Sequence, residues 1–336
     1  MVFLPFPSIG QFRTTVSNVN KFCSAEHHDV PPTITFHGTV KLHGTNAAVG
    51  FANGSMWVQS RNRIITPQSD NAGFAGFVQS HEDVFRSLAT QLPPSPTGWV
   101  IFGEWCGGNI QNSNNLALKL LPKMFVIFAV REVGEPVEEK KDDEDDQNVR
   151  WLPREEFEHL KSSENLIFNI YQFPTWEVEI DFASTADAQN KLVEITMAVE
   201  KECPAGRHFG VFGIGEGVVW RGEFENQRLC FKVKGDEHSA SKVRTLGLAN
   251  VEKLASATAF VDYAVTENRL NQGIEYVFTQ NGKEVSMKGM GDFLKWITAD
   301  VLKEETDTMT ASGLVFKDVI GLIGRKAGVW FKTYTK

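Results

Sequence analysis

The stretch Thr39-Val40-Lys41-Leu42-His43-Gly44-Thr45-Asn46 is the most informative part of this chain for both fold and chemistry. A neutral lysine amine can attack the α-phosphorus of a nucleotide and hold AMP or GMP as a phosphoramidate. Gly44 lies three residues after Lys41 and, because it has no side chain, would let the backbone approach a bound nucleotide closely. The same lysine–glycine spacing also occurs at solvated strand ends, so the segments that follow decide between the two interpretations.

Five further segments carry residue types that suit nucleotide chemistry, and they follow the first one in a fixed order. They are Ser60-Arg61-Asn62-Arg63, Phe102-Gly103-Glu104-Trp105 with Gln111 seven residues past Glu104, Phe125-Val126-Ile127-Phe128, Glu216-Gly217-Val218-Val219-Trp220, and Phe231-Lys232-Val233-Lys234. Together the six segments resemble the nucleotidyltransferase motifs of the ATP-dependent RNA ligase 2 family, the phage type related to trypanosome RNA-editing ligases. The resemblance covers residues 36–240, and it departs from the family pattern at Val40, Ser60 and Ala129.

The resemblance implies a role for each matched residue. Lys41 would be the adenylated nucleophile, and Glu216, Lys232 and Lys234 would be further catalytic residues. The predicted ATP-binding residues are Leu42, His43, Asn46, Arg61, Glu104, Phe125, Glu216, Lys232 and Lys234. Phe125 would stack on adenine, with Phe128 as the alternative. Glu104 and Glu216 would bind Mg²⁺ or Mn²⁺, partly through water, and the predicted RNA contacts are Arg63, Gln111, Arg325 and Lys326.

The residue types at these positions are consistent with those roles. Lys232 and Lys234 alternate on one strand and therefore share a face, where an anion such as a triphosphate would offset their repulsion. Glu104 and Glu216 lie in apolar runs, where a carboxylate seldom occurs without a partner. Arg61 and Arg63 carry guanidinium groups, which suit phosphate oxygens, although a solvated hairpin edge is the simpler interpretation for both.

Composition limits the class of protein. The chain of 336 residues has a formal net charge of −8, and an acidic segment near 135–148 holds most of it. The end of the chain from Lys317 onward is basic, and local rather than total charge sets phosphate affinity. The four cysteines show no CxxC pair, which indicates reduced thiols. With no evident signal peptide or membrane span, we expect a cytoplasmic protein.

The pattern of apolar residues predicts an α+β fold. Strands are predicted at 33–36, 40–42, 47–52, 56–59, 99–105, 124–130, 217–222 and 229–234, and helices at 80–91, 153–159, 185–202, 243–265, 293–305 and 315–324. Asn53-Gly54 predicts a hairpin turn. We expect an ATP-grasp-like nucleotidyltransferase domain of antiparallel sheets with flanking helices over 1–240, and a small, mostly helical RNA-binding domain over 241–336.

The resemblance therefore predicts an ATP-dependent RNA ligase that seals breaks with 3′-hydroxyl and 5′-phosphate ends, in nicked duplex RNA, through lysyl-AMP and RNA-adenylate intermediates. Two alternatives stay open. One is a capping-type or DNA-joining enzyme of the same superfamily, which the helical C-terminal pattern disfavours because such enzymes carry a strand-built barrel there. The other is a catalytically inactive RNA-binding module, which would have no need of Lys41.

Overall fold

The computed structural model describes residues 2–26, 30–108, 110, 116–134, 149–225, 227–235 and 256–335. The strands are β1 (Gly10–Gln11), β2 (Thr33–Lys41), β3 (Gly44–Ala52), β4 (Ser55–Ser60), β5 (Ile64–Ile65), β6 (Trp99–Cys106), β7 (Met124–Glu132), β8 (Ile167–Asn169), β9 (Thr175–Asp181), β10 (Gly217–Phe224) and β11 (Gln227–Lys234). The helices are α1 (Phe12–Ala25), α2 (Phe74–Ser80), α3 (Glu82–Ala89), α4 (Ala186–Lys201), α5 (Pro204–His208), α6 (Ala257–Ala264), α7 (Glu267–Val277), α8 (Met290–Ala311) and α9 (Phe316–Tyr334). These elements confirm the α+β class.

A six-stranded sheet with the order β5-β4-β3-β6-β7-β8 forms the first layer. Its pairs are antiparallel except β7 with β8. The predicted hairpin at Asn53-Gly54 joins β3 to β4, and both turn residues have positive φ, 50° and 74°, which the twist of a two-residue hairpin requires. The register of β6 on β7 shifts between Phe102 and Gly103, so β7 carries one residue more than β6 at this point.

The second sheet has the order β1-β11-β10-β2-β9. Antiparallel pairing sets Gly217 opposite Lys41 and Arg221 opposite His37. Gly38 lies opposite Trp220, and a Cβ at this glycine would lie 2.8 Å from the indole, so the large ring fills the space that the glycine leaves. The pairing of β2 with β10 brings together two sequence segments that are far apart in the chain.

Contacts divide the chain into two compact units. The first comprises Met1–Ile9, Thr35–Val178 and Ala198–Cys230, and the second comprises Gly10–Ile34, Glu179–Met197 and Phe231–Lys336. In the first unit, one face of the six-stranded sheet packs against α2 and α3 through Phe74, Val78 and Phe85. In the second, α6 to α9 bury a cluster that includes Phe260, Phe293 and Phe331. The predicted helical C-terminal region is confirmed, while the boundary at residue 240 stays a prediction.

Several predicted elements differ from those of the structure. The helix predicted at 80–91 corresponds to α3. Helix α2, which ends at Ser80, was not predicted, and the two are separated at His81, whose φ of −126° and ψ of 28° are not helical. The segment predicted as a helix at 153–159 contains only a short 3-10 turn, Arg154–Glu156. The sequence interpretation missed α1, α7 and β9. The acidic segment, Gln111 and most of the predicted helix 243–265 lie outside the described residues. Among those residues, no helix combines the length and apolarity of a membrane-spanning segment.

Candidate active site

Lys41 and Glu216 form an ion pair at the ends of two paired strands. Lys41 closes β2 and Glu216 immediately precedes β10, and the pairing of Lys41 with Gly217 carries the glutamate to the lysine. The Lys41 Nζ donates to Glu216 Oε2 over 2.8 Å. The glutamate side chain is 6% exposed and that of the lysine 22%, so the carboxylate is buried while the lysine side chain stays partly exposed. A partly exposed lysine beside a buried carboxylate can act as a nucleophile with a proton acceptor within reach.

The turn from β2 to β3 is fixed by close packing. Leu42 is buried, and His43 Nδ1 lies 3.4 Å from the same Glu216 oxygen. A Cβ at Gly44 would lie 2.5 Å from the Trp105 carbonyl oxygen. The glycine therefore permits close approach of β3 to β6, and the approach to a nucleotide that the sequence analysis expected of it is not needed to explain its presence.

Asn46 and Glu104 lie directly opposite each other on β3 and β6. Glu104 is half-buried. On the same strand, burial first and the charge of Glu104 second raise the pKa of the Cys106 thiol well above its ordinary value. That thiol is therefore kept protonated and is unsuited to act as a nucleophile. The neighbouring Thr45 hydroxyl accepts from Asn71 Nδ2 over 3.2 Å, which ties β3 to the segment before α2.

The two predicted basic residues after β4 have different surroundings. Arg61 is half-buried at the start of the turn between β4 and β5. The Arg63 guanidinium donates to the Ser69 carbonyl over 2.8 Å, to the Ser69 hydroxyl over 2.9 Å and to the Asp70 carbonyl over 3.2 Å. Arg63 therefore closes the following loop, a structural use that its predicted RNA contact did not include.

Phe125 does not offer a stacking surface for adenine. Its side chain is fully buried, its ring centroid lies 4.9 Å from that of Phe74, and a Cβ at Gly103 would lie 2.5 Å from its ring edge. A base could stack there only by opening the core, so this assignment is corrected. Phe128 is half-buried on β7 at the register shift, and its ring centroid lies 5.1 Å from that of Phe6. The alternative in the same motif is thus the more accessible aromatic residue.

Comparison with known proteins places this site in a family. The family model described as RNA ligase matches residues 34–234, which is more than half of the chain and includes every motif from Lys41 to Lys234. The chain belongs to the RNA ligase family. No curated protein matches it by sequence.

Solved structures of a Naegleria gruberi RNA ligase are similar to this RNA ligase-family chain. A mutant with AMP and Mn has a TM-score of 0.46 and 14% identity, over 70% of this chain and 57% of that one. The protein with PPi has a TM-score of 0.46 and 15% identity, over 70% and 57%. A mutant with ATP and Mn has a TM-score of 0.46 and 14% identity, over 70% and 58%. This chain therefore matches little more than half the length of those proteins.

Arg221 is a charged residue beside Phe128 that the sequence interpretation did not consider. It lies on β10 on the same face as Gly217 and Val219, because every second residue of a strand shares a face. Its Nη1 donates to the Thr39 hydroxyl over 3.0 Å, and its guanidinium lies 6.0 Å from the centroid of the Phe128 ring. Burial is the main cause of its lowered pKa, yet a guanidinium stays charged at neutral pH. Counting alternate positions from Gly217 would have found it.

The remaining predicted residues lie in the second unit or outside the described residues. Lys232 and Lys234 flank the buried Val233 on β11, which agrees with their predicted common face. The Lys232 Nζ lies 3.7 Å from Glu304 Oε1 on α8. Arg325 is exposed on α9, and the Lys326 Nζ donates to Asp262 over 2.9 Å.

The predicted metal ligands Glu104 and Glu216 do not form a preassembled metal centre of protein side chains. Within the described part of the chain, no three side chains of His, Cys, Asp and Glu converge as metal ligands would. Glu216 instead has Lys41 and His43 beside one of its oxygens. The assignment of a metal to these two glutamates stays a prediction.

Proposed function

We propose that this chain is an ATP-dependent RNA ligase that joins 3′-hydroxyl and 5′-phosphate RNA ends. The observation that supports it best is the bond of 2.8 Å from the amine of the partly exposed Lys41 to the buried Glu216 carboxylate, within the segment that the family model matches. A lysine that serves only as a solvated surface charge needs no buried carboxylate at hydrogen-bonding distance. A lysine that attacks phosphorus releases a proton as the N–P bond forms, and a carboxylate at this distance can accept it.

In the first step, the neutral Lys41 nitrogen attacks the α-phosphorus of ATP. The N–P bond forms as the bond from this phosphorus to the bridging oxygen breaks, and pyrophosphate leaves with the electron pair. The amine proton passes to an acceptor, for which Glu216 Oε2 is positioned at 2.8 Å. Phe128 and Arg221 supply the surface we assign to the adenine base, and Arg61, Lys232 and Lys234 are the cations we assign to the phosphates.

In the second step, a 5′-phosphate oxygen of RNA attacks the phosphorus of lysyl-AMP. The N–P bond breaks, and Lys41 recovers a proton as the 5′–5′ pyrophosphate forms. In the third step, a 3′-hydroxyl oxygen attacks the RNA 5′-phosphorus and loses its proton to water, while the bond from this phosphorus to the bridging oxygen breaks and AMP leaves with the electron pair. These in-line transfers depend on positioning and on cationic groups around the phosphates rather than on further covalent chemistry.

A divalent cation fits this assignment. Mg²⁺ is held in such sites by one or two carboxylates, phosphate oxygens and water, and Glu104 and Glu216 are the two carboxylates that this donor set would use. When bound, Mg²⁺ or Mn²⁺ would neutralise charge on the phosphates. Its requirement for preassembled protein ligands is small, which agrees with the described part of the chain, where no three His, Cys, Asp or Glu side chains converge as ligands.

Covalent labelling tests the proposal. The protein is incubated with α-labelled ATP or, separately, with α-labelled GTP and Mg²⁺, and label is measured on the denatured chain. We expect label from ATP alone, none in Lys41→Ala, and full label in Lys161→Ala, a matched variant at an exposed lysine of the same unit. Label from GTP would favour the capping-type alternative. No label from either nucleotide, with mass spectrometry finding no AMP already attached, would contradict the enzyme proposal and favour the inactive RNA-binding module.

The substrate proposal needs a separate test. We propose nicked duplex RNA as the substrate, with Arg325 and Lys326 of the basic C-terminal segment on backbone phosphates. Sealing of a nicked duplex should exceed the joining of single-stranded ends of the same sequence. An R325A variant should weaken duplex sealing and its salt dependence while leaving lysyl-AMP formation unchanged. Equal sealing of both substrates would overturn the duplex preference without affecting the adenylylation proposal.

A further inference from the structure

Lys232 lies among residues that come from three separate parts of the sequence. The short strand β1 pairs in parallel with β11, so that Gln11 lies opposite Lys232. Helix α8 supplies Glu304, whose Oε1 lies 3.7 Å from the Lys232 Nζ. The Gln11 Nε2 donates to the other carboxylate oxygen, Oε2, over 2.6 Å. The carboxylate of Glu304 therefore joins neighbouring side chains of two paired strands to a helix of the same unit.

Glu304 is ionised although it is largely buried. Its side chain is 15% exposed, and burial alone would raise the pKa of a carboxyl group. The charge of Lys232, the bond from Gln11 and the charges of Arg269 and Lys234 outweigh burial and lower the pKa of Glu304. Two of these cations are the paired lysines of the last motif, so the carboxylate supplies negative charge where the lysines would otherwise repel each other.

The backbone around Glu304 is held from several sides. Arg13 of α1 donates to the Glu304 carbonyl oxygen, and to the Thr308 hydroxyl over 2.8 Å. The next residue, Glu305, is fully buried and accepts from Arg13 over 3.1 Å and from the Tyr263 hydroxyl over 3.0 Å. These bonds fix the turn of α8 that carries Glu304. The carboxylate is therefore a fixed point for Lys232 rather than an adjustable surface partner.

We propose that Glu304, supported by Gln11, is a positioning residue that holds Lys232 in the orientation needed for adenylyl transfer. This inference rests on the proposed function, in which Lys232 stabilises charge on the phosphates. It assigns to α8 a part in the first chemical step, before any RNA is bound. A displacement of about 1 Å in a group that contacts the transition state can reduce a rate by about 100-fold.

The test compares Glu304→Gln with Asp292→Asn in the full chain. Both variants replace a carboxylate of α8 by its amide, but Asp292 is exposed near the start of the helix. Lysyl-AMP formation is followed in time over a range of ATP concentrations, and thermal melting confirms folding. We expect E304Q to lower the maximal rate by about 10- to 100-fold with a full final amplitude of label and little change in the KM for ATP. D292N should behave as the wild type.

Other outcomes would overturn the inference. The first is a maximal rate of E304Q equal to that of D292N. The second is a loss of the final amount of label at an unchanged rate, which indicates partial unfolding. The third is a change in the KM for ATP alone. If E304Q does not fold, Gln11→Leu is tested instead, because it removes the hydrogen bond from Gln11 to the Glu304 carboxylate and leaves the strand pairing intact. Q11L should lower the maximal rate of lysyl-AMP formation. An unchanged rate would overturn the inference. If the wild type takes no label, the proposed function itself fails, which is a separate result.

Discussion

Substitution of Arg269 by methionine should destabilise the second unit severely. Arg269 is fully buried on α7. Its Nε donates to Asp300 over 2.7 Å, its Nη2 donates to Glu305 over 3.1 Å, and its Nη1 donates to the Ala264 carbonyl. Burial alone would lower the pKa of this guanidinium, but Asp300 and Glu305 more than offset it and raise the pKa. The arginine is thus fully charged and compensated.

The magnitude follows from what the R269M variant leaves behind. Removal of one partner of a buried ion pair costs about 3–5 kcal/mol, because a buried charge loses its compensation. Asp300 is 20% exposed and can turn to water, whereas Glu305 is 1% exposed and cannot. Glu305 keeps its bonds from Arg13 and Tyr263, which places our expectation at the lower end, about 3 kcal/mol.

Urea denaturation followed by circular dichroism measures this loss. The matched control is K326M, which removes an exposed pair with Asp262 in the same unit and should cost less than about 1 kcal/mol. The denaturation slope of both variants is compared with that of the wild type, since a changed slope would indicate a changed unfolded state or loss of two-state behaviour. If R269M loses no more stability than K326M at an unchanged slope, the buried network does not stabilise the unit and the reasoning is wrong.

Three further predictions follow from the site. Gly44→Ala places a Cβ 2.5 Å from the Trp105 carbonyl oxygen, so it should destabilise the chain by about 1–3 kcal/mol in the same urea assay; an unchanged midpoint would refute this packing argument. F128A should raise the KM for ATP in lysyl-AMP formation by about 10-fold or more through lost stacking, whereas F125A should lower the melting temperature instead; the reverse pattern would restore the first assignment. The lowered pKa of Glu304 means that its ionised form stabilises the fold at neutral pH, and this contribution is lost as the pH falls below the ordinary value of 4.5. The difference in unfolding free energy between wild type and E304Q should therefore become smaller in acid. A difference that does not change with pH would contradict this prediction.

The strands of the first unit were largely predictable because local patterns determine them. Alternation and the Asn53-Gly54 turn give β3 and β4, and β6 and β7 were found within two residues at each end. The contact between Lys41 and Glu216 was not predictable from local pattern, because it depends on which distant strand pairs with β2. The sequence offered both residues through a family resemblance and left their distance open.

The errors have physical causes that a local pattern does not reveal. Phe125 and Phe128 belong to one apolar run of a strand that packs on both faces, so the run alone does not show which ring is fully covered. The bonds of Arg63 to carbonyl oxygens of the following loop were not predictable either, because the sequence does not specify the path of that loop, and the RNA contact of Arg63 stays a prediction. Helix α1 was missed although Phe12, Val19 and Cys23 recur at helical spacing, because its ends lack the local signals of a helix: no side chain caps its start, and there is no acid in its first turn and no base in its last.

The three-part composition of the second unit has a consequence for synthesis on the ribosome. Its first part ends at Ile34 and its last part begins at Phe231, so α1 emerges long before Phe231, on which Phe12 packs, and before α8, with which Arg13 bonds. Until then the apolar side of α1 has none of these native partners, and chains in this state are open to aggregation and to chaperone binding. We expect a nascent chain arrested before residue 231 to show protease-sensitive α1 while β3 to β8 are already protected.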